Sequence, residues 1–464
     1  MTIKRNLAVS WLSHATTLVV GLYLVRLVKG TLGDDGYGAW IFVNSIAGYA
    51  NLLYLGFGAA VSRLTSRYAT LDDWPTLNRV LSSVFIVYLC NGCVALGAAG
   101  VVALAAPHLS TWEGQNLAEV RLVIGLLGLN AAIGLWGSIF GGVLIGLQRF
   151  DVYRGIQIGC TLFRLLLFVV ALTWSPTILA MAWAYLAVTI GENLAYIVCA
   201  RCFAPWMQVS PWRADRKAFG ESFGFASFNA IALLSDHIIG LTDTIVIGCV
   251  LGTAATVPYY IAQRICQMAR APLEQVAELL LPKSAELQSR QQPEHLRQLV
   301  VRSFGFALLL IAGVTIGASY FGERLIRTWL GPGNEASPPL LMILLAAQLI
   351  ALPLRVFKMT LMGLGQARVP ALFDLGQATA NLILSLVLIR HWGIAGVAWG
   401  TLIPAIVFEI GLLLPYAFRQ LHLRGRELVR EGLLPQVLPL LALWGYCAGV
   451  SRISLSHTWI NLVL

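Results

Sequence analysis

The chain has 464 residues, of which 58% are hydrophobic and only 12% charged. Soluble domains carry about 25% charged residues, so so little charge excludes a water-soluble globular protein. The net charge of +10 does not point to nucleic acid, because the cations gather in alternate loops between apolar runs and so report orientation in a membrane.

Stretches near the roughly 20 apolar residues that cross a bilayer as a helix predict twelve spans. They lie near residues 6–30, 38–62, 80–105, 120–147, 152–174, 177–200, 220–249, 256–281, 301–320, 338–363, 369–390 and 394–418. In hydrocarbon every backbone donor and acceptor must be satisfied within the segment, so the spans are expected to be helices. Lys4-Arg5 precede the first stretch as they would in a signal peptide. Its length, His14 and Arg26 within it, and the lack of a small-residue cleavage site mark it instead as a retained span. A further run, about 434–451, is a candidate thirteenth span, and Leu455–Leu464 is too short to return across the bilayer.

Lysine and arginine collect before span one and after spans two, four, six, eight and twelve, for example Arg149 and Arg154, Arg213 and Lys217, and Arg424 and Arg426. Arg324 and Arg327, after span nine, are the main exception. The pattern places the N-terminus and both ends of each six-span half in the cytoplasm. The halves also echo each other at an offset of about 217 residues. Gly146-Leu147-Gln148 returns as Gly363-Leu364-Gly365, Trp183 as Trp399, Glu192 as Glu409 and Leu32-Gly33 as Leu251-Gly252. Six spans per half is an even number, so the repeat is parallel, about an axis along the membrane normal. The expected fold is an all-α polytopic membrane protein of two six-helix bundles related by a parallel internal repeat, plus a C-terminal extra helix. The lobes are expected at 1–200 and 220–418, joined by a basic cytoplasmic linker at 201–219. Residues 419–464 form a basic segment with the candidate thirteenth span.

Eight cysteines are scattered along the chain. Cys90/Cys93 and Cys199/Cys202 lie on or at the end of spans, without further ligands at metal-site spacing, so no metal, redox centre or cofactor is expected. There is no P-loop, no G-x-S-x-G and no H-E-x-x-H, and no loop is long enough for a catalytic lobe, which argues against an enzyme.

Four stretches carry a family likeness. They are Leu55-Gly56-Phe57-Gly58-Ala59-Ala60-Val61-Ser62-Arg63, Gly142-Val143-Leu144-Ile145-Gly146-Leu147-Gln148-Arg149-Phe150, Asp243-Thr244-Ile245-Val246-Ile247-Gly248 and Gly393-Ile394-Ala395-Gly396-Val397-Ala398-Trp399-Gly400. In this order and spacing the chain resembles the bacterial polysaccharide-transport, or oligosaccharide flippase, family of Wzx type. That family sits in the superfamily that includes MATE drug exporters and the lipid II flippase. The resemblance implies movement of a polyprenyl-pyrophosphate-linked oligosaccharide from the cytoplasmic to the outer leaflet of the inner membrane, for O-antigen, capsule or exopolysaccharide. The partners it implies are the membrane, the lipid-linked oligosaccharide and, as candidates, polysaccharide polymerase and chain-length proteins.

Such a head group needs cations in a wet cavity, because a bare charge in hydrocarbon is expensive. The cations inside spans are Arg26, Arg164, Arg264, Arg270, Arg355 and Lys358. Arg binds phosphate as a fork and Lys as a point charge. Four have a plainer alternative: Arg26 and Arg355 snorkel to an interface, Arg164 pairs with an acid on a neighbouring helix, and Arg270 pairs with Glu274 one turn on. Arg264 has no acid at helical spacing. The acids Asp236, Asp243 and Asp374 are candidates for coupling to protons or cations, or else for ion pairs with these arginines. Glu192 and Glu409, being related by the repeat, are expected to serve architecture. The alternative function is a MATE-like exporter of small organic cations, which would favour an acidic or aromatic cavity. A membrane glycosyltransferase would want a large hydrophilic loop, and a passive scaffold would not need cations in mid-membrane.

Overall fold

The structure, a computed structural model, describes residues 3–54, 57–112, 114–213, 234, 235 and 237–452. Every regular element among them is helical. In chain order they begin with α1 (Ile3–Gly48), α2 (Phe57–Thr70), α3 (Trp74–Leu109), α4 (Leu117–Gly146), α5 (Phe150–Trp174) and α6 (Ile178–Phe203). There follow α7 (His237–Leu251), α8 (Thr256–Glu278), α9 (Leu280–Ser289), α10 (Pro293–Leu330), α11 (Ser337–Gly363) and α12 (Arg368–Ala405). The chain continues through a π-helical stretch (Ile406–Leu413), α13 (Leu414–Leu421), α14 (Gly425–Glu427), a second π stretch (Leu428–Leu433) and α15 (Leu434–Ser451). Nine helical stretches among the described residues are long and apolar enough to cross a membrane, and α7 is a shorter apolar helix.

Two of these stretches are too long for one crossing. The run Arg368–Leu421 has 54 residues, about 80 Å at 1.5 Å per residue, against a hydrocarbon core of about 30 Å. It breaks at Gly393, where φ is 57° and ψ −139°, a conformation open to glycine at little cost. Beyond the break the chain folds back on itself: a Cβ at Gly396 would lie 2.3 Å from the Leu388 carbonyl oxygen, and one at Gly400 would strike Ser385. α1 breaks in the same way at Gly33, with φ 69°. Each break separates two of the expected spans. Span two, expected over 38–62, is not a single α-helix. After Gly48 the backbone tightens into a 3₁₀ segment, Tyr49–Tyr54, before α2, as often happens where a helix carries a hinge or strain. Span seven was expected from residue 220, but residues 220–233 lie outside the described residues, as do Glu113 and the tail from 453.

The chain forms two compact units, Met1–His237 with Gly248–Ala254, and Ile238–Ile247 with Ala255–Leu464. Inside the first, local sequence sets several helix starts. Asp73, Asn116 and Thr177 cap α3, α4 and α6 through their side chains, satisfying donors that a helix start leaves orphaned. The first unit's core runs between α3 and α4, with Leu77, Leu81, Val84, Leu135, Ile139 and Leu144 buried. In the second unit the π stretch Leu428–Leu433 and α15 lie along α10, and Gly305 of α10 approaches the Gly432 carbonyl of the π stretch so closely that a Cβ would sit 2.6 Å from it.

The repeat is visible in backbone detail. α4 ends with Leu147 N–H donating to Val143, Gln148 N–H to Ile145 and Arg149 N–H to Leu144. α11 ends with the same three bonds 217 residues later, from Leu364, Gly365 and Gln366. Gln148 and Gly365 both take positive φ, 58° and 79°. At both ends a glycine admits a neighbouring helix. A Cβ on Gly146 would meet Thr65 and the Ser62 carbonyl of α2, and one on Gly363 would meet Ser284 and the Leu281 carbonyl of α9. Small residues at crossings are the general device for packing helices in lipid, where hydrophobic burial gives no drive. Trp183 and Trp399 are 57% and 38% exposed in their units, so the repeated tryptophans share an outward face.

Candidate functional site

In the second unit, Arg355 and Lys358 stand three residues apart on α11 and so share a helix face. Lys358 Nζ lies 2.5 Å from Asp374 Oδ1 on α12 and 2.5 Å from Glu409 Oε1 in the π stretch. Arg355 lies 3.4 Å from Glu274 Oε1, the oxygen that Arg270 Nε also reaches at 2.6 Å. Three cations and three carboxylates therefore close on one another. The pair that the Arg270/Glu274 spacing permits is formed. The extra residue per turn of the π stretch surrounds Glu409, whose side chain is 3% exposed; such bulges recur at functional positions.

Asp243, on α7, is 1% exposed. It accepts hydrogen bonds from Tyr259 Oη at 2.5 Å, Thr401 Oγ1 at 2.8 Å and Ser385 Oγ at 3.2 Å. Asn381 Nδ2 donates to Thr401 Oγ1 at 3.0 Å, while Asn381 Oδ1 is buried without a hydrogen-bond partner among the described residues. None of the ion pairs among the described residues includes Asp243, so the alternative of a pair with one of the arginines is not realised. Water is kept from Asp243 because α8 and both halves of α12 close around it. A carboxylate held by hydroxyls alone can take a proton or a hard cation that prefers oxygen ligands. Asp236, its expected neighbour on the helix, lies outside the described residues.

Arg264 on α8 is half-buried, and no carboxylate pairs with it among the described residues. Its neighbour Gln263 donates to the Gly240 carbonyl of α7. Arg26 is exposed on α1.

The first unit holds a polar cavity of about 470 Å³ between α1, α4, α5 and α6. Arg164 projects into it with its guanidinium 4.9 Å from the centre of the Tyr185 ring. Glu192 Oε1 accepts from Tyr196 Oη at 3.0 Å, and Tyr196 stacks on Tyr153 with ring centres 5.3 Å apart. Asn44, Asn51, Asn130 and Asn193 also line it. Sequence reasoning passed over these amides, although uncharged polar residues inside apolar spans are a visible signal. Glu192 and Glu409 were expected to share one role. Glu409 does bind its unit together, but Glu192 faces a cavity.

A family model described as "Polysaccharide biosynthesis protein" matches residues 36–335. The chain belongs to this family. It is 19% identical over 410 residues to a Shigella flexneri protein named as an O-antigen transporter, covering 86% of this chain and 94% of that one. Among solved structures it resembles an inward-facing multidrug resistance MATE family transporter of the MOP superfamily, with TM-score 0.74, 14% identity and coverage of 88% and 94%. It also resembles the lipid II flippase MurJ in an inward closed conformation, with TM-score 0.71, 12% identity and coverage of 98% and 96%. At these identities the structural likeness concerns the fold, and it agrees with the all-α, multi-pass architecture. In this polysaccharide biosynthesis protein, then, the predicted site residues fall into distinct groups. Arg270, Arg355, Lys358 and Asp374 share one charge cluster, Asp243 sits in a hydroxyl cage, Arg164 lines the first unit's cavity, and Arg264 and Arg26 stand apart from the ion pairs.

Proposed function

We propose that this family member is a flippase that moves a polyprenyl-pyrophosphate-linked oligosaccharide from the cytoplasmic to the outer leaflet by alternating access. Its N-terminus lies in the cytoplasm of a cell whose inner membrane it spans. The observation that carries the reading is Arg264. Its guanidinium is half-buried on the amphipathic α8 with no carboxylate paired to it among the described residues, and a charge held so without a counter-ion points to an anionic ligand; a diphosphate is the anion that its planar fork fits. The charge cluster around Lys358 supplies further cations once its internal pairs open. Asp243 is the coupling group, taking up a proton or cation in its cage of hydroxyls. The family match and the O-antigen name of the Shigella relative support a polysaccharide precursor as cargo.

The second reading, export of small organic cations, draws on the tyrosines and Glu192 of the first unit's cavity. Against it, Arg164 already stacks on Tyr185, where a cationic drug would otherwise sit.

Deleting the gene should strand the polyprenyl-pyrophosphate oligosaccharide on the cytoplasmic leaflet. The wild-type gene should restore export, and Arg264→Ala should insert normally yet fail to restore it. Restored export by Arg264→Ala removes the site assignment. A deletion strain with no stranded intermediate and a new drug sensitivity replaces the flippase reading with the exporter one.

A further inference from the structure

The polar cavity of the first unit has a chemistry unlike that of a phosphate site. It holds one arginine and one carboxylate, Arg164 and Glu192, so its formal charge balances. Its unmet hydrogen bonds are of both kinds. Asn130 Oδ1 is a buried acceptor and Arg164 Nε a buried donor, each without a hydrogen-bond partner among the described residues. Phosphate oxygens only accept, and a diphosphate here would face both the Glu192 carboxylate and the Asn130 carbonyl. A sugar hydroxyl donates and accepts at once, which is what this mixture asks for. The Tyr153 and Tyr196 rings add apolar faces suited to the C–H faces of a pyranose. The volume, about 470 Å³, falls within the roughly 300–1,000 Å³ of small-molecule sites.

The repeat explains how the space arises. At an offset of 217, Glu192 corresponds to Glu409 and Gly141 to Lys358. In the second unit the lysine ammonium fills the region beside the carboxylate and neutralises it. In the first unit that side chain is missing. A Cβ on Gly141 would lie 3.2 Å from Tyr153 and 3.7 Å from Tyr196, both of which line the cavity. Glu192 keeps a tyrosine hydroxyl as its partner in place of a lysine. The same architectural carboxylate thus serves as a lock in one unit and as an open acceptor in the other.

We propose that the first unit's cavity is a saccharide subsite: it takes a neutral sugar ring of the cargo head group, held by Asn130, Arg164, Glu192 and the Tyr153–Tyr196 pair, and it does not take the diphosphate. The proposal rests on the flippase reading for the source of the sugar, but its test does not use transport.

The test is saturation-transfer NMR on the purified full chain in detergent, with a panel of free neutral mono- and disaccharides as probes, and with inorganic pyrophosphate and tetraphenylphosphonium as competitors. At least one saccharide should receive saturation from the protein, and neither competitor should displace it. Asn130→Leu should weaken that saccharide about tenfold, the effect of one buried hydrogen bond. Gly141→Lys, which recreates the second unit's pairing beside Glu192, should abolish the signal while the protein keeps its elution profile and melting temperature. Absence of transfer to every saccharide with the wild-type protein overturns the proposal. Displacement by pyrophosphate assigns the cavity to the phosphates instead, and displacement by the phosphonium assigns it to organic cations. If wild-type protein binds no sugar while the deletion strain strands its intermediate, the subsite fails and the flippase reading stands.

Discussion

Replacing Lys358 with methionine tests whether the second unit is held by a buried charge bridge. The ammonium touches Asp374 and Glu409, whose side chains are 27% and 3% exposed, and is itself 13% exposed. In Lys358→Met, Asp374 can hydrate in part, but Glu409 is left as an uncompensated buried carboxylate. Breaking a buried pair by removing one partner costs about 3–5 kcal/mol. With Asp374 partly relieved, the lower end applies, about 3 kcal/mol. In a unit of this size each kcal/mol moves Tm by about 2–4 °C, so a drop of about 6–12 °C is expected. The assay is thermal unfolding of detergent-solubilised protein followed by tryptophan fluorescence. The triple variant Lys358→Met, Asp374→Leu, Glu409→Met removes the charges together and should recover most of the loss, since replacing a whole buried pair by apolar residues of similar volume is often harmless. A single variant that melts within about 1 °C of the wild type refutes the reasoning. So does a triple variant that melts as low as the single one.

Three further outcomes follow from the same structure. Gly146→Val should destabilise the first unit by about 1–3 kcal/mol through overpacking, because its Cβ would lie 2.6 Å from the Ser62 carbonyl; an unchanged melting temperature would show that α2 does not cross α4 there. Asp73 caps α3, and hydrogen bonds from the Thr76 side chain and backbone N–H hold its carboxyl below the usual carboxylate range. A folded value below the unfolded one means that the cap stabilises above the unfolded value and is lost as pH falls through the folded one. Asp73→Asn should flatten that part of the pH–stability curve, and superimposable curves would dismiss the cap. Asp243→Asn should leave the protein folded but remove the dependence of export on the proton or cation gradient, read as export from vesicles with and without the gradient; a retained dependence places coupling elsewhere.

Much of this fold is local in origin. Apolar length marks the spans because a bilayer sets a minimum run of helix. Gly33 and Gly393 sit where one rod must become two, and Gln148 and Gly365 close helices in the left-handed conformation in both halves. Such features depend on a few adjacent residues, and the return of Gly146-Leu147-Gln148 as Gly363-Leu364-Gly365 at an offset of 217 helped make the repeat legible without coordinates. The charge partners are another matter. The sequence alone singled out Arg355, Lys358 and Asp374 as ionisable groups in apolar surroundings. It did not say that Lys358 would reach Asp374, 16 residues away, and Glu409, 51 residues away. Those contacts depend on how helices rotate and cross, and on a π stretch that shifts the register at Glu409. The helical period is silent on both. Tertiary structure likewise decided that Asp243 would be caged by hydroxyls from α8 and α12 rather than paired with arginine. It also turned a glycine at position 141 into an opening beside Glu192, because the meaning of a missing side chain is set by what its neighbours leave unfilled.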